Sequence, residues 1–236
     1  MLPIELPGIF AVNLVDQFLA IRGYQIVSSH MGYLLEGAVL TLKITVISVF
    51  IGMILGLIAG LCKLSSIKIL NGIATAYIDF FRGTPLYVQI LLIYFGILPL
   101  LFNAGEFTAA IIACSLNSGA YIAEIVRAGI QAVDRGQMEA ARSLGMTKNQ
   151  AMKLVILPQA YKIVIPPLIN EFIAVLKDTS LVAVISAEEL TLRGKLLYST
   201  TFEAAWVWGT VAMIYFVMTK LLSILGDWVE RRMATE

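Results

Sequence analysis

Residues 134–158, DRGQMEAARSLGMTKNQAMKLVILP, form the longest polar and charged interval in an otherwise apolar sequence, and their reading decides the fold. Asp134 with Gln137 fits a helix N-cap answered from the third helical position. Gln137 to Leu144 then makes two short turns, and Gly145 stands where a left-handed helix stop costs least. Thr147 with Gln150 opens a second helix by the same capping logic, and Pro158 is expected to disturb it near its far end. The interval therefore reads as helix, tight turn, helix. On the first helix Ala140, Ala141, Leu144 and Gly145 lie together at three- and four-residue spacings. They form a small apolar patch rimmed by Arg135, Glu139, Arg142 and Lys148. Two readings of it stay open: a socket for another protein's backbone, or a loop folded back on its own helices.

The surrounding chain is of a different character. Its 236 residues are 59% hydrophobic and 14% charged, with a mean hydropathy of +0.86, which lies outside ordinary soluble composition and is enough for one domain. A net charge of +1 gives no global field for nucleic acid. Cys62 and Cys114 sit in apolar runs and read as small buried hydrophobes rather than a disulfide or metal pair. His30, the only histidine, is expected at a membrane interface. No His/Cys cluster, phosphate-cradling glycine loop or nucleophile constellation stands out. The chain does not read as an enzyme, and no metal or cofactor of its own is expected.

Apolar stretches at about 33–62, 78–101, 107–127, 163–186 and 202–228 are each predicted to span a bilayer. Residues 1–31 are too interrupted by Asn13, Asp16 and Gln17 to do so and read as an amphipathic, interfacial segment. Gly52, Gly56 and Gly60 place a small-residue stripe along the first span, suited to close helix packing. Asp79, Arg82, Gly83 and Pro85 break the stretch before residue 101 into an interfacial piece, about 69–77, and a kinked span. Trp206, Trp208 and Trp228 read as interfacial anchors. Five spans put the termini on opposite sides. The 62–68 connection, the 128–162 interval and the charged tail, 229–236, hold most of the Lys and Arg. The positive-inside rule puts that side, with the 134–158 loop and the C-terminus, in the cytoplasm and the N-terminus outside.

Charges within the spans cost roughly 2.5–3.5 kcal/mol each if they face lipid at mid-bilayer, so they are expected to face a cavity or one another. Asp79 with Arg82, and Glu124 with Arg127, stand at i,i+3 spacing and read as structural ion pairs. A zwitterionic ligand needs an acceptor for its ammonium and donors for its carboxylate. Glu171 and Lys177 on the fourth span, with Asn117 and Ser118 on the third, offer such groups at similar depth. Glu124, Tyr121 and Asn170 are further candidates for the same passage.

Several motifs carry a family resemblance. Glu139-Ala140-Ala141, three residues, Gly145, nine residues, Val155, one residue, then Leu157-Pro158 resembles the EAA loop of ABC importer permeases, with Val155 where Ile is usual. RGTPL at 82–86, NSGAYIAEIVRAG at 117–129 and KDTSL at 177–181 are similar to the polar amino-acid branch of that family. The resemblance implies an all-α, five-span integral membrane protein of the type I importer permease kind, in a bacterial plasma (inner) membrane. It implies a second permease copy, identical or not, and an external solute-binding protein that delivers the amino acid. It also implies an ATP-binding cassette subunit docked through Glu139, Ala140, Ala141, Leu144, Gly145, Leu157 and Pro158. ATP and magnesium would sit on that partner. An ion-coupled secondary transporter and a non-transporting membrane scaffold are the other classes compatible with intramembrane charge. The absence of an internal repeat counts against the secondary transporter.

Overall fold

The computed structural model describes residues 21–234, and these are helical throughout apart from short connections. The segment read as amphipathic therefore lies outside the described residues up to position 20. Residues 21–29 (α1) are helical and lead through a turn at His30 into α2, Met31–Lys63. α2 contains no proline over 33 residues and ends on a lysine, the charge that suits a helix C-terminus.

The glycine stripe of α2 lies against α5, Glu106–Ala132. A Cβ on Gly52 would stand 2.2 Å from Ser118 Oγ, one on Gly56 2.8 Å from the Gly119 carbonyl, and one on Gly60 2.8 Å from the Ala123 carbonyl. Only hydrogen fits in those gaps, so the two backbones approach as the four-residue repeat predicts. Ala109, Ala110 and Ala113 on α5 share a buried core cluster with Ile90, Ile93 and Leu98.

The second apolar stretch departs from expectation. Helix α3, Lys68–Gly83, is continuous through the piece read as interfacial and carries Asp79 and Arg82 within it. The chain then turns by 108° at Thr84-Pro85 into α4, Leu86–Leu101. Thr84 is extended (φ −122°, ψ 146°) because a following proline excludes the α region. α4 widens to a π turn over Leu92–Ile97, just before Pro99, and the Leu98 N–H reaches the Ile93 carbonyl. The same device appears at Met152–Ile156 before Pro158, where the Leu157 N–H reaches the Met152 carbonyl. Proline has no N–H and its ring crowds the carbonyl four residues back, so a wider turn accommodates it.

Pro158 thus disturbs the second capped helix by widening it but does not end it: the chain runs on as α8, Leu157–Asp178, which carries Pro166 and Pro167 in its interior. A 3₁₀ segment, Thr179–Ile185, leads to α9, Leu190–Thr201, and to α10, Ala204–Ala234. One core cluster joins α2, α8, α9 and α10 through Leu34, Leu176, Leu190 and Val207, and another joins α5 to α8 through Ile122, Val126, Ile156 and Ala160. Among the described residues, α2, α5 and α10 are individually long and apolar enough to cross a membrane, and the bent α3–α4 pair qualifies as one broken span. α8 is not among them, although its 22 residues extend about 33 Å at 1.5 Å per residue.

Candidate functional site

Two features stand apart from ordinary helix packing: a polar cavity at the α3–α4 break, and the loop between α5 and α8. The loop forms as its local sequence dictates. α6, Arg135–Ser143, is capped by the Asp134 carboxylate, which accepts from the Gly136 N–H at 2.7 Å. Gln137 does not close the expected capping box; its side-chain oxygen accepts from Gln159 Nε2 at 3.2 Å and ties α6 to α8. The helix stops at Gly145, φ +88°, with the Gly145 N–H on the Arg142 carbonyl (3.0 Å) and the Met146 N–H on the Ala141 carbonyl (3.2 Å). That pair of bonds is a Schellman stop, which needs a left-handed residue where glycine stands. Thr147 and Gln150 then form the reciprocal capping box of α7, Lys148–Ala151.

The exposed face of this element is not the whole predicted patch. Leu144 is 82% exposed at its tip, and Glu139, Ala140, Gly145, Leu157 and Pro158 are exposed with it. Ala141 is 3% exposed and belongs to the inner side of α6, so it supports the face from beneath.

The polar cavity, of about 390 Å³, lies between the α3–α4 break, α5 and α8. Asn117, Tyr121 and Glu171 line it, as do Thr84, Asp178 and the apolar Pro85, Leu86, Ala174 and Leu181; none of these is basic. Glu171 and Asp178 are seven residues apart, two helical turns, and so share one face of α8. Lys177 is turned away from them by one residue and lines a different cavity with Ser180, Thr191, Trp208 and Tyr215. Ser118 is fully buried at the α2 crossing, its hydroxyl on the Ser115 carbonyl, and Asn170 is exposed.

Tyr121 is shared with a second cavity of about 460 Å³ nearer the 134–158 loop, which Arg82 and Glu124 also line. The Arg82 guanidinium stands 5.3 Å from the Tyr121 ring centroid, within cation–π range. Glu124 is a node of charge. It accepts from Lys63 Nζ at 2.8 Å and from Arg127 Nη2 at 2.7 Å, and Arg82 Nη1 is 3.8 Å away. The Glu124–Arg127 pair thus forms, but the Asp79–Arg82 pair does not. Asp79 instead lies 4.0 Å from Lys63, because a carboxylate with three cations around it outcompetes the local i,i+3 alternative.

A second node was not legible as a site. Glu189, in the connection before α9, is 0% exposed and accepts from the Leu192 and Thr191 N–H groups (2.8 and 2.9 Å), from Tyr215 (2.8 Å) and from Thr41 (3.3 Å). It joins α2, α9 and α10. Burial raises its carboxyl pKa above the usual range, against the four hydrogen bonds that favour the charged form. Among the described residues no three His, Cys, Asp or Glu side chains converge as metal ligands.

An all-helical body with a polar cavity among its apolar helices and an exposed capped loop at one end matches solved transporter subunits. The structure of an amino acid ABC transporter with histidines superposes at a TM-score of 0.83 and 47% identity, covering 87% of this chain and 96% of that one. The inward-facing MetNI methionine ABC transporter shares the fold at a TM-score of 0.73 and 24% identity, over 86% of this chain and 97% of that one. The family model for the binding-protein-dependent transport system inner membrane component matches residues 52–235, and the chain belongs to that family. Its relatives include the arginine transport system permease protein ArtQ of Bacillus subtilis, 42% identical over 85% of this chain and 92% of that protein. The glutamine transport system permease protein GlnP of Escherichia coli K12 is 41% identical over the same shares.

Proposed function

We propose that this chain is the membrane permease subunit of an ATP-driven importer for polar amino acids. The observation that carries the reading is the acceptor-lined cavity of Asn117, Glu171 and Asp178, joined through α8 to the loop with Leu144 at its tip. Carboxylates and an amide offer an ammonium group the partners it loses on leaving water, and burial without such partners is costly. Arginine and glutamine, named for the relatives, both carry that group. Tyr121 separates the cavity from the loop-side vestibule of Arg82 and Glu124, so a ligand released toward the loop passes its ring.

In this reading five spans cross the inner membrane: α2, α4 with the end of α3, α5, α8 and α10. The loop and the C-terminus are cytoplasmic, where the concentration of Lys and Arg favours them. A second permease copy completes the translocating unit. A solute-binding protein delivers substrate outside, and an ATP-binding subunit grips the 134–158 loop. ATP and magnesium belong to that subunit. α6 and α7, each capped, transmit its movement into α8 without slack, because α7 runs through the π turn directly into α8.

The test is uptake of radiolabelled L-arginine, L-histidine and L-glutamine by proteoliposomes holding the permease with its ATP-binding subunit and solute-binding protein. Uptake of at least one is expected to require MgATP and to survive collapse of the ion gradients. Glu171→Gln is expected to lower it by about tenfold, the loss of one charge-assisted contact, with assembly unchanged. Uptake that follows a proton or sodium gradient without ATP would instead identify a secondary transporter.

A further inference from the structure

The bend at Thr84-Pro85 leaves helix carbonyls without their usual partners. The Phe81 carbonyl would pair with the N–H of residue 85, which proline lacks, and the Val88 N–H goes to Pro85 rather than to Thr84. The Gln89 side chain fills both vacancies. It is 2% exposed, and its Nε2 lies 2.8 Å from the Phe81 carbonyl, 3.0 Å from the Thr84 carbonyl and 2.8 Å from the Thr84 hydroxyl, so that one of its two N–H groups is shared between two of these acceptors. Backbone carbonyls only accept, so the Gln89 atom that faces them must be the nitrogen. Its oxygen is thereby turned the other way, toward Asn117.

Asn117 Nδ2 donates to that oxygen at 2.9 Å and also to the Phe81 carbonyl at 3.3 Å. Both amide hydrogens of Asn117 are used. The only atom it has left for the cavity it lines is its oxygen, an acceptor beside the carboxylates of Glu171 and Asp178. We infer that Gln89 is a positioning residue which sets the polarity of the central cavity: it fixes the Asn117 amide oxygen-inward, so that the cavity recognises the N–H donors of its ligand and rejects acceptors. This rests on the central cavity being the substrate pathway.

L-arginine and L-citrulline test it, since they differ in a guanidinium against a ureido group of similar size, the second bearing a carbonyl oxygen. Binding of each is measured by calorimetry on the detergent-purified permease with its ATP-binding subunit and without the solute-binding protein. The native complex is expected to prefer arginine. Gln89→Leu frees the Asn117 amide to turn and is expected to shrink that preference by about tenfold, the scale of one hydrogen bond to a charged group. In an Asn117→Ala background the same substitution is expected to leave the preference where Asn117→Ala has put it, because Gln89 acts through Asn117.

Equal weakening of both ligands by Gln89→Leu, with the preference intact, would make Gln89 a packing residue only and overturn the inference while the cavity stands. A further change in preference in the Asn117→Ala background would also overturn it. Binding of neither ligand to the native complex at millimolar concentration would remove the cavity from the pathway, and the inference with it. The thermal midpoint of each ligand-free complex reports folding independently of these outcomes.

Discussion

Glu189→Ala is expected to leave little folded protein in the membrane. The two backbone N–H groups that Glu189 accepts from, Thr191 and Leu192, open α9 and have no other partner within reach of the helix ladder. A buried donor left unpaired costs about 1–3 kcal/mol, so these two alone cost about 2–6 kcal/mol, a large part of an ordinary stability margin. Tyr215 and Thr41 lose an acceptor as well, and with it α10 and α2 lose their common anchor to α9. Glu189→Gln should be milder, since one oxygen still accepts.

The native protein and Glu189→Gln also separate in pH. The buried carboxyl has a pKa raised above its ordinary 4.5, so the folded protein holds its proton more tightly than the unfolded chain. That contribution is complete below 4.5 and is lost as pH climbs through the raised value. Thermal melts in detergent across that window should show the slope in the native protein and not in Glu189→Gln. Equal midpoints for the native protein and Glu189→Ala would show that the node is dispensable.

Gly145→Val is expected to abolish coupled uptake with normal amounts of permease in the membrane. At φ +88° a β-branched residue is strained by about 1–3 kcal/mol, and the turn can relieve the strain only by giving up its two closing hydrogen bonds. Leu144 and the start of α7 would then shift together. Beyond the two flanking residues, no described atom lies within 4 Å of a Cβ placed there, so the rest of this chain offers no clash. Gly145→Asn, which tolerates the left-handed region, should retain most activity. Equal loss in both variants would place the requirement in close contact with the partner rather than in the turn. Normal uptake by Gly145→Val would remove the turn from the coupling path.

What could be read in advance was local. Asp134, Gly145 and the Thr147–Gln150 box act within a few residues of themselves, and the glycine repeat of α2 is a property of one helix. The alignment of Glu171 with Asp178 was equally available as a seven-residue spacing. Glu171 and Lys177, by contrast, stand six residues apart, and the helix turns them about 120° from a common face. The remaining features depend on distant pairings. Thr41 meets Glu189 across 148 positions, and Lys63 meets Glu124 across 61. Asp79 and Arg82 had a plausible spacing for each other, yet Lys63 and Glu124 draw them apart. Pro85 signalled a break but not its angle, which decides that the Gln89 amide comes back to meet the carbonyls it leaves bare.

In the proposed complex the exposed loop is the grip of an ATP-binding subunit. A photo-crosslinking residue placed at Leu144, 82% exposed and at the apex of the loop, addresses this in the assembled complex. Irradiation is expected to join the permease to the ATP-binding subunit, with a yield that changes between nucleotide-free and ATP-trapped complexes. Capture of lipid alone, or of the external solute-binding protein, would contradict it.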